Sequence, residues 1–180
     1  MTVTECIKER RSIRKFTDAP VPHTLLEDII ETASYSPSWK NTQVARYIAV
    51  EGPLKDQIAR EATAAYPPNG SYITNAPMLI AMTVIKGRSG FERDGSFSTD
   101  KGTGWQMFDA GIAAQSFCLA AHEKGLGSVI LGIFDTELIT SLLSLSDERE
   151  LVALICLGFP AEHPAVPKRK TVNDILSYQS

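Results

Sequence analysis

The sequence is short of the features that mark several common protein classes. Its three cysteines, Cys6, Cys118 and Cys156, are an odd number without CxxC or Cys/His spacing. That pattern indicates neither a disulfide framework nor a zinc site and reads as buried thiols in a reducing compartment. The longest apolar runs, near Ala76–Ile85 and Leu151–Phe159, are too short to span a bilayer, and the start MTVTECIKERRS lacks the apolar stretch of a signal peptide. A soluble, cytoplasmic protein without a membrane partner is expected. Excess charge of one sign is missing too: 18 Lys and Arg stand against 21 Asp and Glu, a formal net charge of −3. A whole-surface binder of nucleic acid is thereby excluded, and any anion site must be local. GxSxG, GxxxxGK and HExxH are absent, so serine hydrolase, P-loop and zincin readings lack their minimum parts. GLGSVILG (125–132) resembles a dinucleotide glycine motif but follows a helical pattern and lacks the required strand before it. His23, His122 and His163 are isolated, with no carboxylate pair or second histidine to frame a base or a metal ligand.

What is present is one domain's worth of chain, residues 1–180, with 43% hydrophobic residues and no internal boundary or repeat. Leu25, Leu26, Ile29, Ile30 and Ala33 recur at helical spacing, and Thr24 with Glu27 reads as an N-cap box after Pro22, so a helix is expected over 24–35. Residues 44–50 read as a short strand, 53–65 as a second helix and 76–85 as a buried strand. Residues 86–104, rich in Gly, Ser and charge without apolar period, read as an exposed loop and a candidate lid. The longest helix is expected over 105–124; its small residues on several faces suit the centre of a domain or a subunit interface. A strand at 128–134, a short helix near 136–145, a buried strand at 151–159 and an extended arm over 160–180 complete the chain. Alternation of strand and helix, taken alone, suggests a parallel sheet.

The cations are unevenly spread: KERRSIRK (8–15) and KRK (168–170) hold eight of the eighteen Lys and Arg in eleven positions. If residues 10–15 are extended, Arg10, Ser12 and Arg14 share one side, opposite Arg11, Ile13 and Lys15. Two guanidiniums and a hydroxyl on one side suit a phosphate dianion, because Arg presents paired donors to phosphate oxygens. Lys168 and Lys170 likewise share a side of the arm.

RRSIRKF near the start, SPSWKNTQ at 36–43, the small-residue helix running into GLGSVILGIFD, and GFPAE followed by KRK together resemble the nitroreductase family of FMN enzymes. The resemblance covers about residues 10–175. It implies an α+β fold: an α/β/α sandwich with a mostly antiparallel central sheet and two subunits intertwined by their terminal arms. It implies that Arg10, Arg11, Ser12, Arg14, Lys168 and Lys170 hold the flavin phosphate and ribityl chain. Pro37, Ser38 and Asn41 would contact the flavin from the other subunit, and Ile130, Leu131 and Gly132 would lie against the ring. The activity implied is NAD(P)H oxidation by a ping-pong cycle, with NADH or NADPH as donor and a nitroaromatic, a quinone or another small molecule as acceptor; no protein acid or base is obligatory. Alternatives on the same fold are a flavin reservoir or sensor without NAD(P)H turnover, and a specialised chemistry such as dehalogenation. The chain departs from many relatives at Val44 and Ala45, where Pro-Trp is common, and at Gln115, where Asn is.

Overall fold

The structure, a computed structural model, describes residues 1–179. Helix α1 (Val3–Glu9) opens the chain, followed by α2 (His23–Ser34), a 3-10 turn (Trp39–Asn41), β1 (Ala45–Val50), α3 (Gly52–Glu61), α4 (Pro67–Asn75) and β2 (Met78–Ile85). After the 86–103 loop come α5 (Gly104–Glu123), β3 (Gly127–Leu131), α6 (Thr136–Leu142), β4 (Arg149–Gly158) and one turn of helix, α7 (Val172–Ile175), within the arm. The sheet order is β1-β2-β4-β3 and every pairing is antiparallel. The α+β architecture with an antiparallel sheet therefore holds, and the parallel sheet suggested by alternation does not.

Alternation along β2 builds both faces of the sheet. Met78, Ile80, Met82 and Val84 join α2 and α5 in one core, while Leu79 and Ala81 join α3, α4 and α6 in the other. On β4 the pairing skips Val152 between Thr83↔Leu151 and Met82↔Ala153. This β-bulge lets Leu151 and Leu154, three residues apart, lie in the same core. β2 is buried along almost its whole length, which its continuous run MLIAMTVI requires of a central strand with both faces covered.

Several boundaries differ from expectation. The Thr24/Glu27 box does not form: α2 starts a residue earlier, and the Pro22 carbonyl accepts from Leu25 and Leu26 N–H. The Thr2/Glu5 box does form and starts α1, an element for which the charged run KERRSIRK gave no periodic signal. α4 begins on two prolines, tolerated at the first turn because those N–H groups would be unpaired anyway. The arm is not wholly extended, since Thr171 and Asp174 cap the turn at Val172–Ile175; Ser180 lies outside the described residues. Among the described residues no helix is long and apolar enough to cross a membrane.

Candidate functional site

The segment after α1 is fixed by Ile13. Its side chain is buried and packs on Gly127, where an added Cβ would stand 2.7 Å from Ile13 Cγ1. Ile13 N–H donates to the Ser128 carbonyl at 3.0 Å, and Ser12 bridges Ser128 in parallel. With Ile13 inward, Ser12 is half-buried and Arg14 exposed. Arg10 and Arg11 line a cavity of about 470 Å³ with His122, Ser128 and Glu162. Arg11 Nη1 donates to the carbonyls of Lys8 and Arg10 at 2.6 and 2.8 Å, and Arg14 Cζ stands 5.7 Å from the centre of the Tyr72 ring.

This segment already holds one anion. Glu162 Oε1 accepts from the backbone N–H of both Arg14 and Lys15, at 2.7 and 3.2 Å, and so ties the root of the arm to the cationic stretch. Past that root, Lys168 and Lys170 are exposed. Among the described residues, Arg10, Arg11, Arg14, Lys168 and Lys170 make no ion pair with a carboxylate, and no hydrogen bond joins either lysine to residues 10–14. The residues at 10–14 fit an anionic cofactor, because neighbouring cations whose charge no carboxylate balances attract an anion.

β3 is an edge strand, and among the described residues its outer side is bridged only at Ser128. Leu131 is buried in the core, so only its backbone is available to a ligand, whereas Ile130 is 47% exposed. Gly132 is exposed, and nothing lies within 4 Å of the Cβ it lacks, leaving room for a flat group against the backbone. Asn69 Nδ2 donates to the Ile133 carbonyl at 2.8 Å and steadies this loop. Asn69 and Tyr72 sit on α4, the helix without a periodic signal, and sequence reasoning missed both.

The third group stands apart. Pro37 and Ser38 line a separate cavity of about 440 Å³ with the buried Asp109. Asn41 is exposed at φ 55°, between Lys40 at 45° and Gln43 at 48° two residues on. Left-handed backbone costs a non-glycine residue about 1–3 kcal/mol, so the turn depends on its surroundings. Ser38 Oγ accepts from Gln43 N–H at 2.9 Å, and the buried carboxylate of Asp109 accepts from Trp39 N–H. The 86–103 loop packs on this turn through Lys40 and Glu92, 3.2 Å apart, and its own Ser89 is fully buried.

Acid–base groups add little to the site. Burial pushes the Cys156 thiol up to about 12 and raises those of Cys118 and Cys6, so none supplies a thiolate nucleophile at neutral pH. Burial likewise pushes the Tyr47 phenol, on the wall of the 440 Å³ cavity, up to about 12. Desolvation lowers the pKa of His122, whose Nε2 is buried without a partner.

The model of the nitroreductase family matches residues 7–72 and 56–159. The chain is 32% identical over 168 residues to a protein of Methanothermobacter thermautotrophicus named as an NADH dehydrogenase/NAD(P)H nitroreductase, covering 91% of this chain and 80% of that one. A nitroreductase family protein from Streptococcus pneumoniae superposes with a TM-score of 0.86 at 22% identity, over 99% of this chain and 100% of that one, a likeness of fold. A Desulfovibrio desulfuricans protein described as a nitroreductase in complex with FMN superposes with a TM-score of 0.78 at 26% identity, over 100% and 98% of the two chains.

Proposed function

The chain belongs to the nitroreductase family, and from that premise we propose that it is an FMN-dependent oxidoreductase carrying electrons from NADH or NADPH to a small acceptor such as a nitroaromatic or a quinone. The single observation that carries the reading is the set of cations at 10–14 without a carboxylate partner, joined to the edge strand β3 at Ser128. The FMN of the Desulfovibrio relative supports the choice of flavin.

In this reading Arg10, Ser12 and Arg14, assisted by Arg11, hold the phosphate, and Lys168 and Lys170 complete its charge balance. The backbone of Ile130, Leu131 and Gly132 lies against the ring, and Pro37, Ser38 and Asn41 belong to a partner's share of the site. Bound FMN would supply the redox chemistry between the nicotinamide donor and the acceptor. The protein would bind, orient and tune the group: the cations at 10–14 and the backbone N–H groups near Gly132 would favour negative charge on it, and no side chain has to move a proton.

A homodimer completes the site. The α5 face carrying Phe108 (60% exposed), Gly111 and Gln115 is open in the single chain, as is the outer edge of β1. The large apolar side chains that α5 leaves in water, Phe108 and Met107, favour association.

The test is a spectrum. Purified protein should be yellow or take up FMN, and NADH or NADPH should bleach it anaerobically within seconds. A colourless protein that ignores added FMN defeats the reading, while a flavin that stays oxidised identifies a reservoir or sensor instead.

A further inference from the structure

The turn at residues 38–43 has a shape its own residues do not favour, and one carboxylate joins it to two other parts of the molecule. Three of its residues, Lys40, Asn41 and Gln43, have positive φ, and none is glycine. Asp109, on the first half of α5, is 4% exposed, and its carboxylate meets the Trp39 backbone N–H at 3.0 Å from Oδ2 and 3.2 Å from Oδ1. Oδ2 also accepts the hydroxyl of Ser89, a fully buried residue of the 86–103 loop, at 2.6 Å. Hydrogen bonds to a charged acceptor are strong, and away from water neither donor has an alternative partner. Two more contacts run in parallel: the Trp39 and Trp105 rings lie 4.7 Å apart, and Lys40 Nζ reaches Glu92.

We propose that Asp109 is a positioning residue: it holds the 38–43 turn in the conformation that presents Ser38 and Asn41 to the cofactor, and through Ser89 it binds the 86–103 loop to that turn. The proposal rests on the flavin reading above. It gives the loop a role that its composition does not disclose, since a change in the loop is transmitted to the cofactor contact by two hydrogen bonds sharing one oxygen. Asp109 touches neither substrate nor flavin in this account, and its effect passes through the Trp39 amide.

The experiment compares Asp109→Ala, Asp109→Asn and Ser89→Ala with wild type by FMN titration and by amide hydrogen exchange of the flavin-free protein. Asparagine can keep both links, its oxygen accepting from Trp39 and its amide donating to a rotated Ser89 hydroxyl. Asp109→Ala should speed exchange of the amides at 39–43 and weaken FMN binding by about tenfold or more, the loss of hydrogen bonds to a charged group. Asp109→Asn should stay within about threefold of wild type in both readouts, a rescue that follows from the same hydrogen-bond count. Ser89→Ala should fall between them. FMN affinity in Asp109→Ala equal to wild type overturns the proposal, as does unchanged exchange at 39–43. If Asp109→Ala does not fold, Ser89→Ala decides: wild-type exchange at Trp39 together with wild-type FMN affinity overturns it. Wild-type protein that takes up no FMN defeats the flavin reading before any variant is compared, and the exchange rates still report whether Asp109 holds the turn.

Discussion

The 38–43 turn and the C-terminal arm are both assigned to the same cofactor, yet the fold treats them in opposite ways. The turn is held within one chain: a buried carboxylate, a Ser38 cap and a tilted pair of tryptophans fix three residues in left-handed backbone. The arm is secured only at its root, where Glu162 meets Arg14 and Lys15. Beyond it Val166, Val172, Ile175 and Tyr178 are 64% to 90% exposed, an arrangement with no use for apolar side chains in an isolated chain. The difference teaches where information resides. Strain is stored where the chain can support it alone, and apolar area is left exposed where, in the proposed dimer, a second subunit would supply the surface.

The largest expected effect comes from removing the arm. Deletion of residues 165–180 leaves both cores intact, since neither includes a residue beyond Phe159. The shortened protein should melt cooperatively, sediment as a monomer and lose about 3–6 kcal/mol of FMN binding, the sum for two lysines at the usual value of a charged hydrogen bond. A truncated dimer with full FMN affinity would erase the contrast between arm and turn. Next in size are Arg10→Ala and Arg14→Ala, each expected to weaken FMN binding by about 1.5–3 kcal/mol in a fluorescence titration. Unchanged affinity in both variants moves the phosphate away from residues 10–14.

How much of this was legible beforehand depended on the range of the interaction. Periodicity found α2, α5, β2 and β4 because each buries a continuous face, whereas strict alternation over 10–15 does not describe the segment: Ile13 and Phe16, three apart, are both buried, and Arg10 and Arg11, expected on opposite sides, line one cavity. α1 and α4 escaped: one is seven residues long and mostly charged or exposed, and the other begins on prolines that read as a break. The antiparallel sheet was legible from family motifs and not from alternation, because the order β1-β2-β4-β3 is set by which faces the intervening helices cover. Asp109 was invisible for a simpler reason. Its partners lie 70 and 20 residues away, and nothing local to WQMFDAG distinguishes a clamp from an ordinary solvated aspartate.

The smallest expected effect sharpens the comparison from the arm's side, at the cavity His122 shares with Arg10 and Arg11. Desolvation lowers the pKa of His122 first, Glu9 partly offsets it, and Arg10 and Arg11 add to the depression. A histidine with a depressed folded pKa binds its proton more readily when unfolded, so the folded state gains stability as pH rises through that interval. The contribution is complete above the ordinary value of 6.5 and is lost as pH falls toward the depressed folded value. Denaturant unfolding at about pH 7.5 and 5.5 should therefore show a larger loss for wild type than for His122→Gln. An anion held by Arg10 and Arg11 offsets the positive field that they direct at His122, so FMN should shrink the difference between the two proteins. If FMN leaves that difference unchanged, its phosphate lies away from this cavity, toward Arg14 and the arm.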